Sequence, residues 1–268
     1  MSEQSSVLQK TALSQVKFLQ KRPALLWTAP LIGFVAAIIL RKQVRLGGRQ
    51  ILSLLHGENL KTKQNAQKLA RFKKVLFEDI REVVSSDPKL RSEGKIRILE
   101  LSPGTGTNVE FYPRGSKLIS YENDGVFEKY YQEHRHEFPH VQVEKFLKGS
   151  PENMSELEDE SVDVIIGTLV CCSVEDIALT MREIKRVLAK GGKYYFVEHE
   201  QYPDKSWGYS IQKAVNPLWR VCNDGCNVSR RVSEVIEYVG FRAVNQKRYL
   251  PAEIPFLIRP LIVGYAVK

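Results

Sequence analysis

The chain has 268 residues, 43% of them apolar and 26% charged, a composition that can bury a core and carries the charge of an ordinary globular domain. A net charge of +9 would suit nucleic acid, but the excess is local: residues 1–40 carry four Lys/Arg and one Glu, residues 41–98 fifteen basic and six acidic side chains, and residues 99–268 twenty-one basic against twenty-four acidic. The acidic main body argues against a nucleic-acid partner, and the four cysteines, Cys171, Cys172, Cys222 and Cys226, lack a second Cys/His pair for zinc and read as free thiols in a reducing compartment, with no metal expected.

Ala24 to Leu40 is a run of seventeen residues without a charge, bracketed by Lys21 and Arg22 and by Arg41, Lys42 and Arg45. Seventeen residues is the lower edge of what spans about 30 Å of hydrocarbon, and Pro30 would kink the helix or fold it into a hairpin. The polar residues ahead of it and the basic stretch behind it do not suit a cleaved signal peptide. Residues 24–40 are therefore expected to be a membrane anchor behind a polar segment, 1–23. Basic flanks on both sides leave its topology open. The plainer alternative is a buried core helix. The basic region that follows, 41–94, would be drawn to anionic lipid head groups, each basic residue contributing about 1 kcal/mol, unless it is simply a solvated helix.

Residues 58–84 have helical periodicity, with Leu69, Phe72, Leu76, Ile80 and Val83 at spacings of three and four. Ser85-Ser86-Asp87-Pro88 breaks it, and a polar linker runs to Gly94. Strands and helices then alternate over 95–268. Strands are predicted at 96–101, 117–122, 141–146, 162–170 and 193–199. Helices are predicted from the second strand to about His136, at 175–189 (ended by Gly191-Gly192) and at 229–239, with last strands at 242–249 and 261–267. Such alternation predicts an α/β fold, a mostly parallel seven-stranded sheet with helices on both faces.

Gly104 and Gly106 sit in a turn directly after the first strand, where absent side chains let a backbone approach a nucleotide. Glu122 ends the second strand, 18 positions after Gly104, where a carboxylate can accept from both ribose hydroxyls. The order strand, glycine turn, strand, acid points to nucleotide binding. The third glycine of a dinucleotide fingerprint is absent, Asn108 and Val109 standing in its neighbourhood.

LELSPGTGTNVEFYP (99–113), SVDVIIGTLVCCSV (161–174), EIKRVLAKGGKYYFVEH (183–199) and NDGCNVSR (223–230) together resemble the methyltransferase-like 7, or alkyl thiol methyltransferase, family of the class I S-adenosylmethionine-dependent methyltransferases. The likeness runs from about Ile96 to Lys268 and implies a Rossmann-like fold, S-adenosylmethionine as cofactor, and S-methylation of a small lipophilic thiol. The family's hydrophobic N-terminal anchor implies attachment to the endoplasmic reticulum or lipid droplets, with the catalytic domain facing the cytosol. Mitochondrial delivery is the alternative, because residues 1–22 carry one acid and four basic side chains. On the cofactor side, Glu100, Gly104, Thr105 and Gly106 match the turn, Glu122 stands at the ribose position, and Glu152, Asn153 and Met154 occupy the adenine segment; Ser102 in the turn, Asn123 beside Glu122 and Thr168 near the end of the fourth strand complete the cofactor-binding candidates. His199 and the Asp224-Gly225-Cys226 group match the substrate flank, with His199 and Asp224 as catalytic candidates.

Two departures stand out. Ser102-Pro103 replaces the Gly-Cys of the family's E-L-G-C-G-T-G, and a left-handed Ser102 would cost about 1–2 kcal/mol. Glu122 replaces an Asp. Other readings of the same fold are a lipid or quinone methyltransferase, or a membrane adaptor that has lost catalysis. Trp207, Tyr209 and Trp219 could wall an apolar pocket or belong to a core. No oligomeric state is implied.

Overall fold

The computed structural model describes residues 68–268 except Asp224, and of Cys222 only its backbone. The apolar run 24–40 and the first part of the 58–84 periodicity lie outside the described residues. Among those described, no helix is long and apolar enough to cross a membrane.

Helix α1 covers 68–76 and passes into a 3-10 turn, Glu78–Glu82. Residues expected as a linker form a short helix, α2 (Pro88–Ser92). Pro88 suits its first position, and the Asp87 carboxylate accepts from Lys89 N and Leu90 N at 2.8 and 3.2 Å. Strand β1 (Arg97–Leu101) follows, then β2 (Ser116–Glu122), α3 (Val126–Glu133), β3 (Val141–Lys148) and β4 (Val162–Thr168).

Helix α4 (Ile177–Val187) opens on Asp176, whose carboxylate accepts from Leu179 N. It ends before the expected glycines. Leu188 already belongs to β5 (Leu188–His199), and Gly191 sits inside the strand at φ +78°. The register of β4 on β5 shifts between Val162 and Val164, so the glycine pair serves a bulge rather than a helix cap. A Cβ on Gly192 would lie 2.8 Å from the Asp163 carbonyl oxygen.

The sequence patterns did not indicate the next helix, α5 (Trp207–Cys222), which carries Pro217 inside it. Helix α6 (Val232–Tyr238) and strands β6 (Ala243–Tyr249) and β7 (Leu261–Val267) close the fold.

The seven strands lie in the order β3-β2-β1-β4-β5-β7-β6. β7 runs antiparallel to both β5 and β6, and the remaining pairs are parallel. Alternation along the strands feeds two cores. Leu99, Leu101, Ile165 and Phe196 face Met181, Ile184 and Ile236 on one side. Ile98, Leu118, Val164 and Tyr195 face Phe77, Ile80, Phe127 and Tyr131 on the other. The chain leaves β1 toward β2 and returns on its other flank as β4. That reversal opens a crevice beyond the carboxyl ends of β1 and β4, where such sheets bind ligands.

At the opposite edge, the buried Asp163 carboxylate gathers four donors: Ser85 Oγ, Ser86 N, Ser86 Oγ and Arg97 N, at 2.7–3.0 Å. It locks the segment entering the fold onto β1 and β4. Hydrogen bonds to a charged group contribute a net of about 1.5–3 kcal/mol each, and around one carboxylate the cost of burying its charge offsets much of their sum. Asp163→Ala is expected to destabilise the protein by about 3 kcal/mol, lowering the melting temperature by about 6–12 °C. Urea and thermal melts test this.

Candidate active site

Glu100 is fully buried near the end of β1, and burial raises its pKa against the opposing pull of Tyr112, Asn108 and Lys73. The Asn108 amide donates to Glu100 Oε1 at 2.7 Å and to Thr168 Oγ1 at 3.1 Å, tying the turn after β1 to the end of β4. Lys73, buried on α1, donates to Thr107 Oγ1 at 3.0 Å. Desolvation pushes its pKa down to about 8 although Glu100 and Glu110 favour its charge. Lys73 lies four residues after Leu69 and three before Leu76, on the apolar face of the helix, a signal that the periodicity alone did not single out. A buried lysine beside a buried glutamate became visible when α1 packed over the turn.

Gly104 and Gly106 both have positive φ, +59° and +69°. Their reasons differ. A Cβ on Gly106 would lie 2.6 Å from the Phe127 ring, whereas one on Gly104 would meet nothing within 4 Å. Gly106 therefore serves packing, and Gly104 leaves open space over the turn. Glu100 Oε2 and Asn108 Oδ1 are buried acceptors without a partner among the described residues. Open space beside idle acceptors fits a donor-rich ligand such as S-adenosylmethionine. Ser102 takes φ +50°, the left-handed conformation that its replacement of glycine predicts to be costly. Its amide donates to the Tyr121 carbonyl at 2.9 Å.

Glu122 stands at the end of β2, and its carboxylate accepts from Phe127 N (3.0 and 3.2 Å) and Glu128 N (3.3 Å). It thereby caps α3, whose preceding Gly125 offers no side chain. Two carboxylate oxygens have lone pairs to spare for ribose hydroxyls as well. Asn123 beside it is exposed, and Thr105 is half-buried on the turn.

The adenine-side trio is divided. Glu152 accepts from Glu175 N and Asp176 N at 2.5 and 2.7 Å and from the Ser150 hydroxyl, fastening its loop to the segment before α4. Asn153 is exposed, with its carbonyl accepting from Tyr121 Oη at 2.7 Å. Met154 is buried in the core with Leu99 and Ile119. Its loop adjoins the ribose end through Gly149 N, which donates to the Glu122 carbonyl at 3.1 Å.

The residues expected on the substrate flank lie at and beyond the carboxyl ends of β4 and β5. After Thr168 the chain turns through Leu169 at φ +59°. The buried Glu198 carboxylate accepts from Val170 N at 2.9 Å and is pushed up to about 7 by burial. A glutamate inside an apolar strand was the available sequence signal for this group. His199 Nδ1 faces Cys226 Sγ at 3.6 Å, and Cys172 joins them. Cys226 is held below the usual thiol range by a hydrogen bond from Cys172 and by the His199 ring, while Cys172 is pushed up by that same bond and by burial. Cys171, Cys172 and Cys226 are buried free thiols. Trp219 packs against this cluster, whereas Trp207 is 70% exposed and stacks on Phe256. Tyr209 is half-buried on α5. Asp224 lies outside the described residues.

The family described as "Methyltransferase domain" matches residues 99–196, from β1 to β5. Human thiol S-methyltransferase TMT1A is 36% identical over 203 residues, 75% of this chain and 80% of the relative. Human thiol S-methyltransferase TMT1B is 33% identical over 207 residues, 77% and 82% of the two chains. The chain belongs to the thiol S-methyltransferase family. It is a class I S-adenosylmethionine-dependent methyltransferase, and S-adenosylmethionine is its cofactor. The fold also matches the structure of a candidate sarcosine dimethylglycine methyltransferase from Galdieria sulphuraria, with a TM-score of 0.51 at 14% identity, over 74% of this chain and 84% of that one. The groups free to hold the cofactor are the idle acceptors of Glu100 and Asn108, the open face of Gly104 and the Glu122 carboxylate.

Two outcomes follow for the cofactor side. Relief of the strained serine, about 1–2 kcal/mol, less the roughly 0.5–1 kcal/mol that glycine loses on ordering, makes Ser102→Gly more stable by about 0.5–1 kcal/mol. Calorimetric melting should rise by about 1–4 °C; no rise would mean that the turn is relaxed as it stands. The folded pKa of Lys73 lies below the unfolded value, so between about 8 and 10.5 the unfolded chain binds the extra proton and rising pH favours folding. Stability relative to Lys73→Met should therefore grow by about 2 kcal/mol between pH 7.5 and 10, read from urea melts of both proteins.

Proposed function

We propose that this methyltransferase S-methylates small lipophilic thiols at a membrane surface, anchored by residues 24–40 at the endoplasmic reticulum or on lipid droplets, with the domain 95–268 facing the cytosol. The observation that carries the substrate class is the match, over three quarters of the chain, to relatives named thiol S-methyltransferases. The acceptor flank supports it: Cys172, Cys226 and His199 are buried together with Trp219 near them, a soft, largely apolar cluster at the end of β5.

The bound cofactor supplies an electrophilic methyl carbon on a sulfonium. The chain's own task is to present a sulfur nucleophile in line with that carbon and in its reactive protonation state. An ordinary thiol has a pKa of about 8.5 and is mostly protonated near neutrality. His199, at the end of β5, is either the base for the acceptor thiol or the group that orients it. Glu198 stays buried behind it and fixes the turn after β4 through Val170 N.

Attachment to lipid has a second support besides the apolar run. Trp207, Ile211, Val215 and Leu218 recur along one side of α5 and are exposed, Leu218 to 64%. An apolar stripe on a helix suits an interfacial position.

The test is calorimetric binding of S-adenosylmethionine to the chain in detergent, followed by transfer of labelled methyl to alkyl thiols and to matching alcohols and quinols. Micromolar binding is expected, weakened at least roughly tenfold in Glu122→Ala, with label on sulfur; a tenfold loss corresponds to about 1.4 kcal/mol. His199→Ala should lower turnover with thiols by about 10²–10⁴-fold, the usual contribution of a positioned base. Label on oxygen alone would overturn the thiol assignment. A folded protein that binds no cofactor would point to the adaptor reading, with Ser102-Pro103 as its reason.

A further inference from the structure

Cys172, His199 and Cys226 come from three different elements: the loop after β4, the last residue of β5 and the loop after α5. In sequence the two cysteines are 54 positions apart with the histidine between them, a spacing that resembles no zinc motif. In space their ligand atoms all lie within 4.8 Å of one another, and all three residues are buried. Cys226 Sγ and His199 Nδ1 are 3.6 Å apart. Bond lengths of about 2.3 Å to sulfur and 2.0–2.1 Å to nitrogen around a tetrahedral zinc place neighbouring S and N ligands about 3.6 Å apart. The observed separation is already that of two corners of such a site.

The backbone around the three side chains is held in place. Asn227 N donates to the Cys172 carbonyl at 2.7 Å, Arg230 donates to the Cys171 carbonyl at 2.7 Å, and Val228 N donates to Asn216 Oδ1 at 3.0 Å. The loop carrying Cys226 is thus stitched onto the loop carrying Cys172. Val228 and Trp219 pack around the sulfurs.

We propose that Cys172, Cys226 and His199 bind a zinc ion whose fourth position takes the acceptor thiol. This rests on the thiol-methyltransferase reading and deepens it. Two cysteines and a histidine suit zinc by ligand softness, and three protein ligands leave a coordination position for substrate. Among the described residues no further Cys, His or carboxylate joins the group. A thiol that coordinates zinc gives up its proton, which passes to solvent. The zinc-held sulfur then uses a lone pair to form the new carbon–sulfur bond, while the methyl–sulfonium bond breaks and leaves its electron pair on S-adenosylhomocysteine. The neutral thioether product is a poor ligand, and the next thiol displaces it. On this account His199 holds the metal, and the metal ionises the thiol.

The experiment uses the 268-residue chain in detergent. Elemental analysis after dialysis is expected to find about one zinc per chain, and Cys172→Ser and Cys226→Ser to weaken zinc binding at least roughly tenfold, with cofactor binding as the control for folding. Cobalt(II) added to metal-stripped wild-type protein should give a thiolate-to-metal charge-transfer band. Its ligand-field spectrum should change with a small alkyl thiol and not with the matching alcohol. Wild-type protein that holds neither zinc nor cobalt overturns the proposal, as does recovery of Cys172 and Cys226 joined as a disulfide. A cobalt spectrum indifferent to the thiol removes the open position and overturns it too. Thiol methylation by the same metal-free protein would defeat the metal site and leave the thiol-methyltransferase reading standing. A thiol-responsive metal site without methyl transfer would support the site and defeat that reading.

Discussion

One buried amide holds the two halves of the crevice together. Asn108 donates from a single nitrogen to Glu100 on β1 and to Thr168 at the end of β4, the two strands between which the sheet reverses its order. Inside the protein such bonds are strong because no water competes for them. The glycine turn is thereby fixed against the strand that leads into Leu169 and the acceptor flank. Loss of that tie would free the turn from β4 while leaving both strands in the sheet.

The two sides of the crevice are built from different chemistry. The cofactor side is polar and partly unsatisfied, with Lys73 and Glu100 sharing a desolvated space and two acceptors idle. The acceptor side is soft, made of sulfur, imidazole and indole. The proposed reaction, between a charged sulfonium and a lipophilic thiol, would need both sides at one edge. A doubly wound sheet provides that edge where its strands end.

Much of this was legible in the residues. The buried strands announced themselves as apolar runs, and the glycine turn and Glu122 fell at the expected strand ends. The mostly parallel character of the sheet followed from the alternation of strands with helices. Local competition hid the rest. Gly191-Gly192 looks like a helix terminator because glycine suits both a cap and a bulge, and only pairing with β4 decides between them. Helix α5 was obscured by Pro217 and by apolar residues that face outward rather than into a core. Met154 matched a binding segment by position and turned inward because its neighbours on β1 and β2 offered apolar contact. Lys73, Cys172 and Cys226 take their importance from partners distant in the chain, which no local window contains.

The antiparallel strand β7 is made after β6 yet lies between β6 and β5. Each of its residues from Leu261 to Val267 is paired on both sides, with Tyr249 and His199 at one end and Ala243 and Lys193 at the other. During synthesis β6 therefore leaves the ribosome with no place in the sheet, and β5, which ends at His199, has one flank open. A nascent chain held short of residue 261 could form the cofactor side while its acceptor side stayed unfinished. Arrival of β7, rather than collapse of the first strands, would then complete the edge of the sheet on which His199 stands.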